Sequence, residues 1–347
     1  MKLTVRQLAI AATIVVSSVV GASALPIENL LKQEIRKVQW ERDIQDIPAG
    51  PTMRVGSTGE RVLMLSKALR AHYSYTKITD VYTEDLASIV RMFQVDAGIQ
   101  SDGIVGKQTL AILNWDKEDK LAALEFSLEK WNSRDLGNKA VVVNIPAFEL
   151  IAVENGREAF RSKTIVGRPK HSTPEMISPA FSIKYNPDWN VPPGIHKRYV
   201  KKVEAGEMEY FTSQNIQIIR NEDTGEIEKF WQPTSRNSAP SRSNALGLMK
   251  IEMKNPHSIY MHDTNERFYF NRSNRARSSG CIRVEKYQEL GAWLGDWDVS
   301  TIQRRIATDK THWTGFDEVP VHVVYLTAWP DADGNIQYHR DVYRKQK

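Results

Sequence analysis

The chain has 347 residues, of which 41% are hydrophobic and 26% charged, and its formal net charge is +5 at pH 7. That length predicts about two domains of ~100–200 residues each, and the composition excludes both a disordered chain and a membrane bundle. Lysines and arginines are spread along the sequence rather than clustered, so nucleic-acid binding is not indicated.

The first 24 residues have the pattern of a secretory signal peptide. A short basic region precedes an apolar run over residues 8–20, and an A-x-A cleavage site ends at Ala24. An uncleaved anchor is the alternative, but a run of about 13 residues is short of the ~20 needed to span a bilayer. We therefore expect an exported protein with no stable membrane span after signal cleavage.

Residues 51–114 alternate glycine turns with three helical segments. The preceding residues, 25–50, begin with a helical pattern and become irregular, which is typical of an arm or linker. Three elements recur within 51–114: Gly56-x-x-Gly59, Phe93-Gln94 and Asp102-Gly103-x-Val105-Gly106. They resemble the small three-helix peptidoglycan-binding domain of many cell-wall enzymes. A plain helical spacer is the alternative, since apolar stripes alone form a core more often than a ligand site.

From residue 139 to 330 the pattern becomes that of β-strands. A charged helical connector over 115–138 precedes this part, and an Asn-Gly pair at 155–156 separates two strand-like runs, as in a hairpin. The polar stretch over 193–243 is too long for a structureless loop in a compact domain, so we predict a lid insertion. Residues 331–347 form a C-terminal tail. The sequence thus predicts a multidomain protein, with a mainly-β domain after a small helical one.

Cys281 is the only cysteine and follows glycine in the stretch RSSGCIRV. It can form no internal disulfide, and in an exported protein an unpaired thiol is either a reactive group or a small buried hydrophobe. A thiol attacks as its thiolate, which near neutral pH requires a base or a positive environment. Gly280 leaves room for a substrate and leaves backbone N–H groups free to hold an oxyanion.

His262 is the candidate base. It lies in a strand-like run 19 residues before Cys281, and the residues between can form a hairpin that returns the chain to the same place. Four arginines make the local field positive. They are Arg272, Arg275, Arg277 and Arg283. A histidine on a strand is by itself more often a core residue, but a nucleophile, a base and oxyanion donors together are the parts that acyl transfer needs.

Two motifs resemble those of a known family. The sequence Y-x-H-D-T at 260–264 and S-S-G-C-I-R-V at 278–284 are similar to the active-site motif of the L,D-transpeptidases of the YkuD type. The similarity extends to P-D-W-N-V-P-P at 187–193, N-x-L-G at 244–247 and Y-L-T-A at 325–328, and it covers roughly residues 51–345. It is greatest to the large periplasmic branch with a peptidoglycan-binding domain and a capping insertion. The resemblance implies a YkuD-like β-sandwich and a periplasmic protein associated with the cell wall.

The resemblance also implies roles for individual residues. Cys281 would be the nucleophile, and His262 would deprotonate it and later protonate the leaving amine. The backbone N–H groups of Gly280 and Cys281 would bind the oxyanion. Residues implied in positioning the substrate are Tyr260, Ser279, Arg283, Trp189 and Asn190. A structural salt bridge for Arg283 and a place in the core for Trp189 remain open.

Two further expectations concern the sequence neighbours of Cys281 and His262. Ser279 stands where many family members have histidine, so no role for a second histidine is carried over. In the family a main-chain carbonyl often orients the catalytic histidine. The carboxylate of Asp263 is not expected to do so, because neighbours on a strand point to opposite faces.

The implied reaction is a two-step acyl transfer without metal or cofactor. Cys281 would attack the carbonyl between the L-centre of meso-diaminopimelate and the terminal D-alanine of a tetrapeptide donor, releasing D-alanine and leaving a thioester. The side-chain amine of a second diaminopimelate would then take the acyl group, giving a 3→3 crosslink. No cluster of His, Cys and carboxylate residues with metal-ligand spacing stands out in the sequence. Partners would be peptidoglycan stem peptides, with other wall synthases as candidates.

Two alternatives stay open. The same thioester could pass its acyl group to water or to a lysine of a wall lipoprotein, which would make the protein a hydrolase or an anchoring enzyme. A non-catalytic peptidoglycan-binding scaffold would keep Cys281 only as a vestige, and it would have no reason to keep an activated thiolate.

Overall fold

The computed structural model describes residues 27–40, 46–73, 76–97, 99–114, 117–131, 134–233 and 244–346. The predicted signal segment, 1–24, and the end of the predicted insertion, 234–243, lie outside the described residues. None of the helices in the described ranges combines the length and apolarity that crossing a bilayer requires.

The described residues form nine α-helices, which fall into three groups. They are α1 Ile27–Trp40, α2 Glu60–His72, α3 Glu84–Asp96, α4 Lys107–Leu113, α5 Lys117–Trp131, α6 Pro193–Glu204, α7 Met208–Ser213, α8 Tyr287–Leu294 and α9 Val299–Ala307. Helices α2 to α4 share a small separate core, and α1 and α5 pack on the β-rich domain. The remaining helices are part of the β-rich domain itself.

The strands of the described residues lie after α5 in the chain. They are β1 Lys139–Asn144, β2 Glu149–Glu154, β3 Arg157–Gly167, β4 Met176–Tyr185, β5 Trp189–Asn190, β6 Gln217–Arg220, β7 Ile227–Gln232, β8 Met249–Met253, β9 Met261–His262, β10 Ala276–Ser278, β11 Ile282–Val284, β12 His312–Val324, β13 Ala328–Pro330 and β14 Ile336–Tyr338. Nine of them form one sheet in the order β10-β3-β11-β9-β8-β4-β12-β1-β2, and β2 also pairs with β3. The sheet therefore closes on itself around the main core.

Strand alternation divides the apolar residues between two cores. On β1, Val141 and Val143 face the interior of the closed sheet, while Ala140 and Val142 face outward. The turn between β2 and β3 has φ of 49° at Asn155 and 74° at Gly156, the conformation of a two-residue hairpin turn. The hairpin predicted from the Asn-Gly pair is confirmed.

The outer face of β1 and β2 is covered by α1 and α5. Ile27, Leu31 and Val38 of α1 are buried in this second core, and Trp131 of α5 packs edge-on against Trp329 at 5.9 Å between ring centroids. The segments predicted as an arm and a connector therefore contain helices that stabilise the β-rich domain, because their apolar residues cover a sheet face that would otherwise be exposed.

The helical domain is held together by its glycine turns and one buried amide. Helix α3 is capped by Thr83, whose side chain accepts from the Leu86 N–H, a contact worth about 1 kcal/mol. The amide of Gln94 donates to Asp102 Oδ1 at 2.9 Å and accepts from the Gly103 N–H at 2.8 Å. The residues that suggested this domain in the sequence thus maintain its fold. A small helical domain before a mainly-β domain, the predicted fold class, is confirmed.

Candidate active site

Parallel pairing of β9 and β11 brings the two predicted catalytic residues together. Arg283 of β11 lies opposite His262 of β9, and the Ile282 N–H donates to the Tyr260 carbonyl at 3.1 Å. Cys281 therefore lies beside Tyr260, next to His262. The predicted hairpin between them is wrong, because the strands run parallel and the residues between form a crossover with a 3₁₀ helix, Arg267–Asn271.

Both residues open onto a groove of about 830 Å³. One wall is formed by β9, which carries His262, and by residues 278–283 around Cys281, together with the turn at 257–260. The other wall is formed by α6 and neighbouring parts of the predicted insertion, including Tyr199 and Tyr210. At this volume the groove falls in the range of ligand-binding clefts.

Cys281 is half-buried, and its thiol donates a hydrogen bond to the Ser258 carbonyl at 3.8 Å. Burial raises the pKa of the thiol, while contacts with Tyr260 and the positive charges of Lys250 and Arg283 act against that rise. The net direction is upward. In the free protein the thiol is therefore mostly protonated at neutral pH.

His262 is buried, with 5% of its surface exposed. Burial, and secondly the charge of Arg283, lower the pKa of His262 to about 3, so the imidazole is neutral at neutral pH. Its Nδ1 lies 2.5 Å from the carbonyl oxygen of Asp263. A carbonyl accepts only, so Nδ1 carries the proton and Nε2 is left as the basic nitrogen.

The carbonyl of Asp263 is thus the main-chain group that orients the His262 ring, which the sequence could not locate. The Asp263 carboxylate points away from His262: Oδ1 accepts from Arg267 Nη1 at 2.5 Å and Oδ2 from the Leu248 N–H at 3.1 Å. Gly247 makes room for it, because a Cβ there would come within 2.3 Å of Oδ2, and φ of Gly247 is +63°. This explains the glycine in the N-x-L-G motif.

The loop before Cys281 is braced by hydroxyl groups. Gly280, with φ of +122°, donates its N–H to Ser278 Oγ at 3.1 Å, and that hydroxyl donates to the Cys281 carbonyl at 2.6 Å. Thr173 Oγ1 donates to the Gly280 carbonyl at 2.7 Å and accepts from the Gly167 N–H at 2.9 Å. The Thr173 N–H donates in turn to the Tyr343 hydroxyl at 3.2 Å.

This bracing changes the expectation for the oxyanion donors. The Gly280 N–H, predicted to be one of two donors, is already used by Ser278 Oγ. The Cys281 N–H has no acceptor among the described residues. Thr173 and the tail residue Tyr343 were not identified from the sequence, since hydroxyl-bearing residues distant along the chain give no local signal.

The five predicted positioning residues fall into different environments. Tyr260, Ser279, Arg283 and Trp189 line the groove, whereas Asn190 is exposed and is not part of its lining. Trp189 is also buried in the small core of the insertion, and Arg283 pairs with Glu266 at 2.6 Å, so the structural alternatives weighed for both residues hold as well.

The positive field comes from fewer arginines than the sequence suggested. Arg275 instead braces the sheet, donating to the carbonyls of Thr164 and Phe148 at 3.1 and 3.0 Å. Besides Arg283, the cation that acts on Cys281 is Lys250, whose Nζ lies 4.1 Å from the centre of the Tyr260 ring. The sequence did not single out Lys250.

Among the described residues, no group of three or more His, Cys, Asp or Glu side chains is placed to hold a metal ion. The chemistry that the groove offers from its own side chains is that of a thiol beside a neutral, oriented imidazole.

Comparison with known proteins gives two family matches and one curated relative. Residues 138–320 match the YkuD family, described as the L,D-transpeptidase catalytic domain, and residues 58–113 match a family described as "Putative peptidoglycan binding domain". A "Putative L,D-transpeptidase" of Haemophilus influenzae is 34% identical over 221 residues, which are 59% of this chain and 44% of that protein. The chain thus spans less than half the length of this relative.

Matches among solved structures include an L,D-transpeptidase from Stackebrandtia nassauensis, with 16% identity and a TM-score of 0.32 over 79% of this chain and 97% of that one. Another is an L,D-transpeptidase from Mycobacterium smegmatis, with 14% identity and a TM-score of 0.27 over 54% of this chain and 58% of that one. The YkuD match covers more than half of the sequence. The chain therefore belongs to the YkuD family of L,D-transpeptidases.

Proposed function

We propose that this protein forms 3→3 crosslinks between diaminopimelate residues of peptidoglycan through a thioester on Cys281. The observation that carries the proposal is the arrangement at the groove, where the thiol lies beside a buried imidazole whose Nδ1 is held by the Asp263 carbonyl. An exported, periplasmic location is part of the proposal, because the substrate is there.

The first step transfers the donor acyl group to sulfur. His262 Nε2 takes the thiol proton as Sγ attacks the carbonyl before the terminal D-alanine, and the Cys281 N–H stabilises the oxyanion. The imidazolium then gives its proton to the leaving amine, so D-alanine departs and a thioester remains. Because the thiol and the imidazole are both neutral before substrate arrives, we expect proton transfer to accompany attack.

The second step transfers the acyl group to an amine. The side-chain amine of a second diaminopimelate attacks the thioester, His262 accepts a proton from it, and the thiolate that leaves is reprotonated. The helical domain would hold the protein on the same polymer and so raise the local concentration of stem peptides.

The test is incubation of the protein without residues 1–24 with disaccharide-tetrapeptide, followed by mass spectrometry of the products and of the intact protein. We expect a 3→3 dimer and free D-alanine, both lost in Cys281→Ala. Tripeptide monomer without dimer would assign the protein as a hydrolase, and transfer to an added lysine peptide would assign it as an anchoring enzyme. No product, with no labelling of Cys281 by a carbapenem, would favour a scaffold.

A further inference from the structure

The groove carries an excess of positive charge that the proposed chemistry does not use. Five arginine and lysine residues line it against a single lining carboxylate, Glu266. They are Arg168, Arg198, Lys202, Arg277 and Arg283. Arg283 pairs with Glu266, and Lys202 pairs with Glu207 just outside the groove. Among the described residues, Arg168, Arg198 and Arg277 have no carboxylate partner.

Of these three arginines, Arg168 and Arg198 come from different parts of the chain. Arg198 is on α6 of the insertion, and Arg168 follows β3, directly before a 3₁₀ helix. Both contact adjacent residues of the loop before Cys281, since the Arg168 N–H donates to the Ser278 carbonyl at 3.1 Å and Arg198 Nη2 donates to Ser279 Oγ. Burial, and then the charge of Arg198, lower the pKa of Arg168. Two like charges held together without a counter-ion form a site for an anion.

Arg198 also lies close to the nucleophile. Its Nη2 donates to Ser279 Oγ at 3.2 Å, and Ser279 is two residues before Cys281. Its Nε is buried and has no hydrogen-bond partner in the part of the chain that the structure describes, so the guanidinium has donor capacity left over. A guanidinium binds a carboxylate through two parallel hydrogen bonds, which Ser279 alone cannot supply.

We propose that Arg198 and Arg168 bind the free carboxylate of the terminal D-alanine of the donor stem. In the proposed reaction this carboxylate belongs to the residue whose amine leaves, so it lies close to the scissile carbonyl and to Cys281. The site selects stems that end one residue after that carbonyl, because a longer stem carries its carboxylate further away. This inference rests on the proposed function for the identity of the donor.

Direct binding tests the site without turnover. In Cys281→Ala protein, we expect calorimetry to show the tetrapeptide binding at least tenfold more tightly than its C-terminal amide, because the amide loses the charge-assisted hydrogen bonds to the two guanidinium groups. Adding Arg198→Gln or, separately, Arg168→Gln should remove most of that preference. Lys197→Gln, which removes an exposed positive charge from the same helix, should retain it.

The diaminopimelate side chain also carries a carboxylate, so a third peptide amidated at that position is included. The proposal would be overturned if amidating the side-chain carboxylate weakened binding more than amidating the terminal carboxylate. Equal binding of the free acid and the C-terminal amide by Cys281→Ala protein would also overturn it. The binding experiment uses Cys281→Ala protein, which cannot turn over, so it is independent of the reaction. If this protein prefers the free acid over the amide but the unmodified protein forms no crosslinks, only the proposed function is refuted.

Discussion

The two walls of the groove are built in different ways. The nucleophile wall, formed by β9, β11 and residues 278–281, is part of the closed sheet, and β11 is paired on both sides, with β9 and with β3. The insertion wall, formed by residues 193–232, has its own small sheet and an aromatic core in which Phe211 stacks on Phe230 at 5.3 Å. The Arg198 to Ser279 hydrogen bond links the two walls across the groove.

This difference predicts a division of tasks. A wall fixed by strands on both sides can hold a thiol, an imidazole and an oxyanion donor at constant distances, which catalysis requires. A wall with a separate small core can change without disturbing those distances. We therefore expect substitutions in the nucleophile wall to lower kcat and substitutions in the insertion wall to raise KM.

The largest effect is expected at the base. Replacing His262 by Gln removes the proton acceptor, and we expect D-alanine release from tetrapeptide to fall by about 10²–10⁴-fold. Asp263→Asn is the matched control, because it keeps the main-chain carbonyl that accepts from His262 and changes only the carboxylate that pairs with Arg267. A loss in Asp263→Asn as large as in His262→Gln would mean that the carboxylate, rather than the carbonyl, orients the base.

A smaller effect is expected at the brace of the cysteine loop. Thr173→Val removes the hydroxyl between the Gly167 N–H and the Gly280 carbonyl and leaves buried groups unpaired, at a cost of about 1–3 kcal/mol. We expect a roughly tenfold lower kcat and little change in KM. The control is Thr164→Val on β3, a buried threonine whose hydroxyl has no hydrogen-bond partner among the described residues, so its loss should leave activity and melting temperature almost unchanged. Equal losses in both variants would refute the bracing role.

The nucleophile wall could be predicted largely from the sequence, because its candidate functional residues lie in two short motifs with a recognisable spacing. What the sequence could not supply are contacts between distant positions. Thr173 contacts the cysteine loop, and Tyr343 contacts Thr173, from positions far along the chain. The use of the Gly280 N–H by Ser278 Oγ depends on a loop conformation. The crossover was predicted as a hairpin because the same residues can connect parallel or antiparallel strands.

The insertion wall was predicted only as a polar segment over 193–243. Its aromatic residues are scattered, so no periodic pattern indicated that Tyr199, Phe211 and Phe230 meet in one core. Arg198 likewise gave no signal, since one basic residue among many acquires a meaning only from the position of Ser279 across the groove. The helical domain was easier to predict from the sequence, because its glycine turns and its buried glutamine determine the fold through contacts between residues close along the chain.

Weakening the aromatic core of the insertion wall should test the expectation that this wall affects KM rather than kcat. Phe211→Ala opens a cavity beside Phe230 and loosens the wall that carries Arg198, and we expect KM for tetrapeptide to rise by roughly fivefold with kcat less affected. Iodoacetamide, which is small, should alkylate Cys281 at the same rate as in the unmodified protein or faster. Slower alkylation, or a fall in kcat with constant KM, would show that the two walls are not independent.

The smallest effect concerns the electrostatics of the nucleophile wall. The thiolate is the form that attacks iodoacetamide, and burial places the pKa of Cys281 above its ordinary value, so the alkylation rate should still be rising with pH above pH 8. Arg283 lowers that pKa, and Arg283→Gln should therefore raise it and slow alkylation at pH 8 by about threefold. Arg277→Gln is the control, since this exposed arginine lies over the Tyr269 ring and is not among the main groups that set the thiol pKa. Faster alkylation in Arg283→Gln would mean that its stronger effect is on His262, whose pKa the same charge lowers, so that base strength rather than thiol acidity limits the reaction.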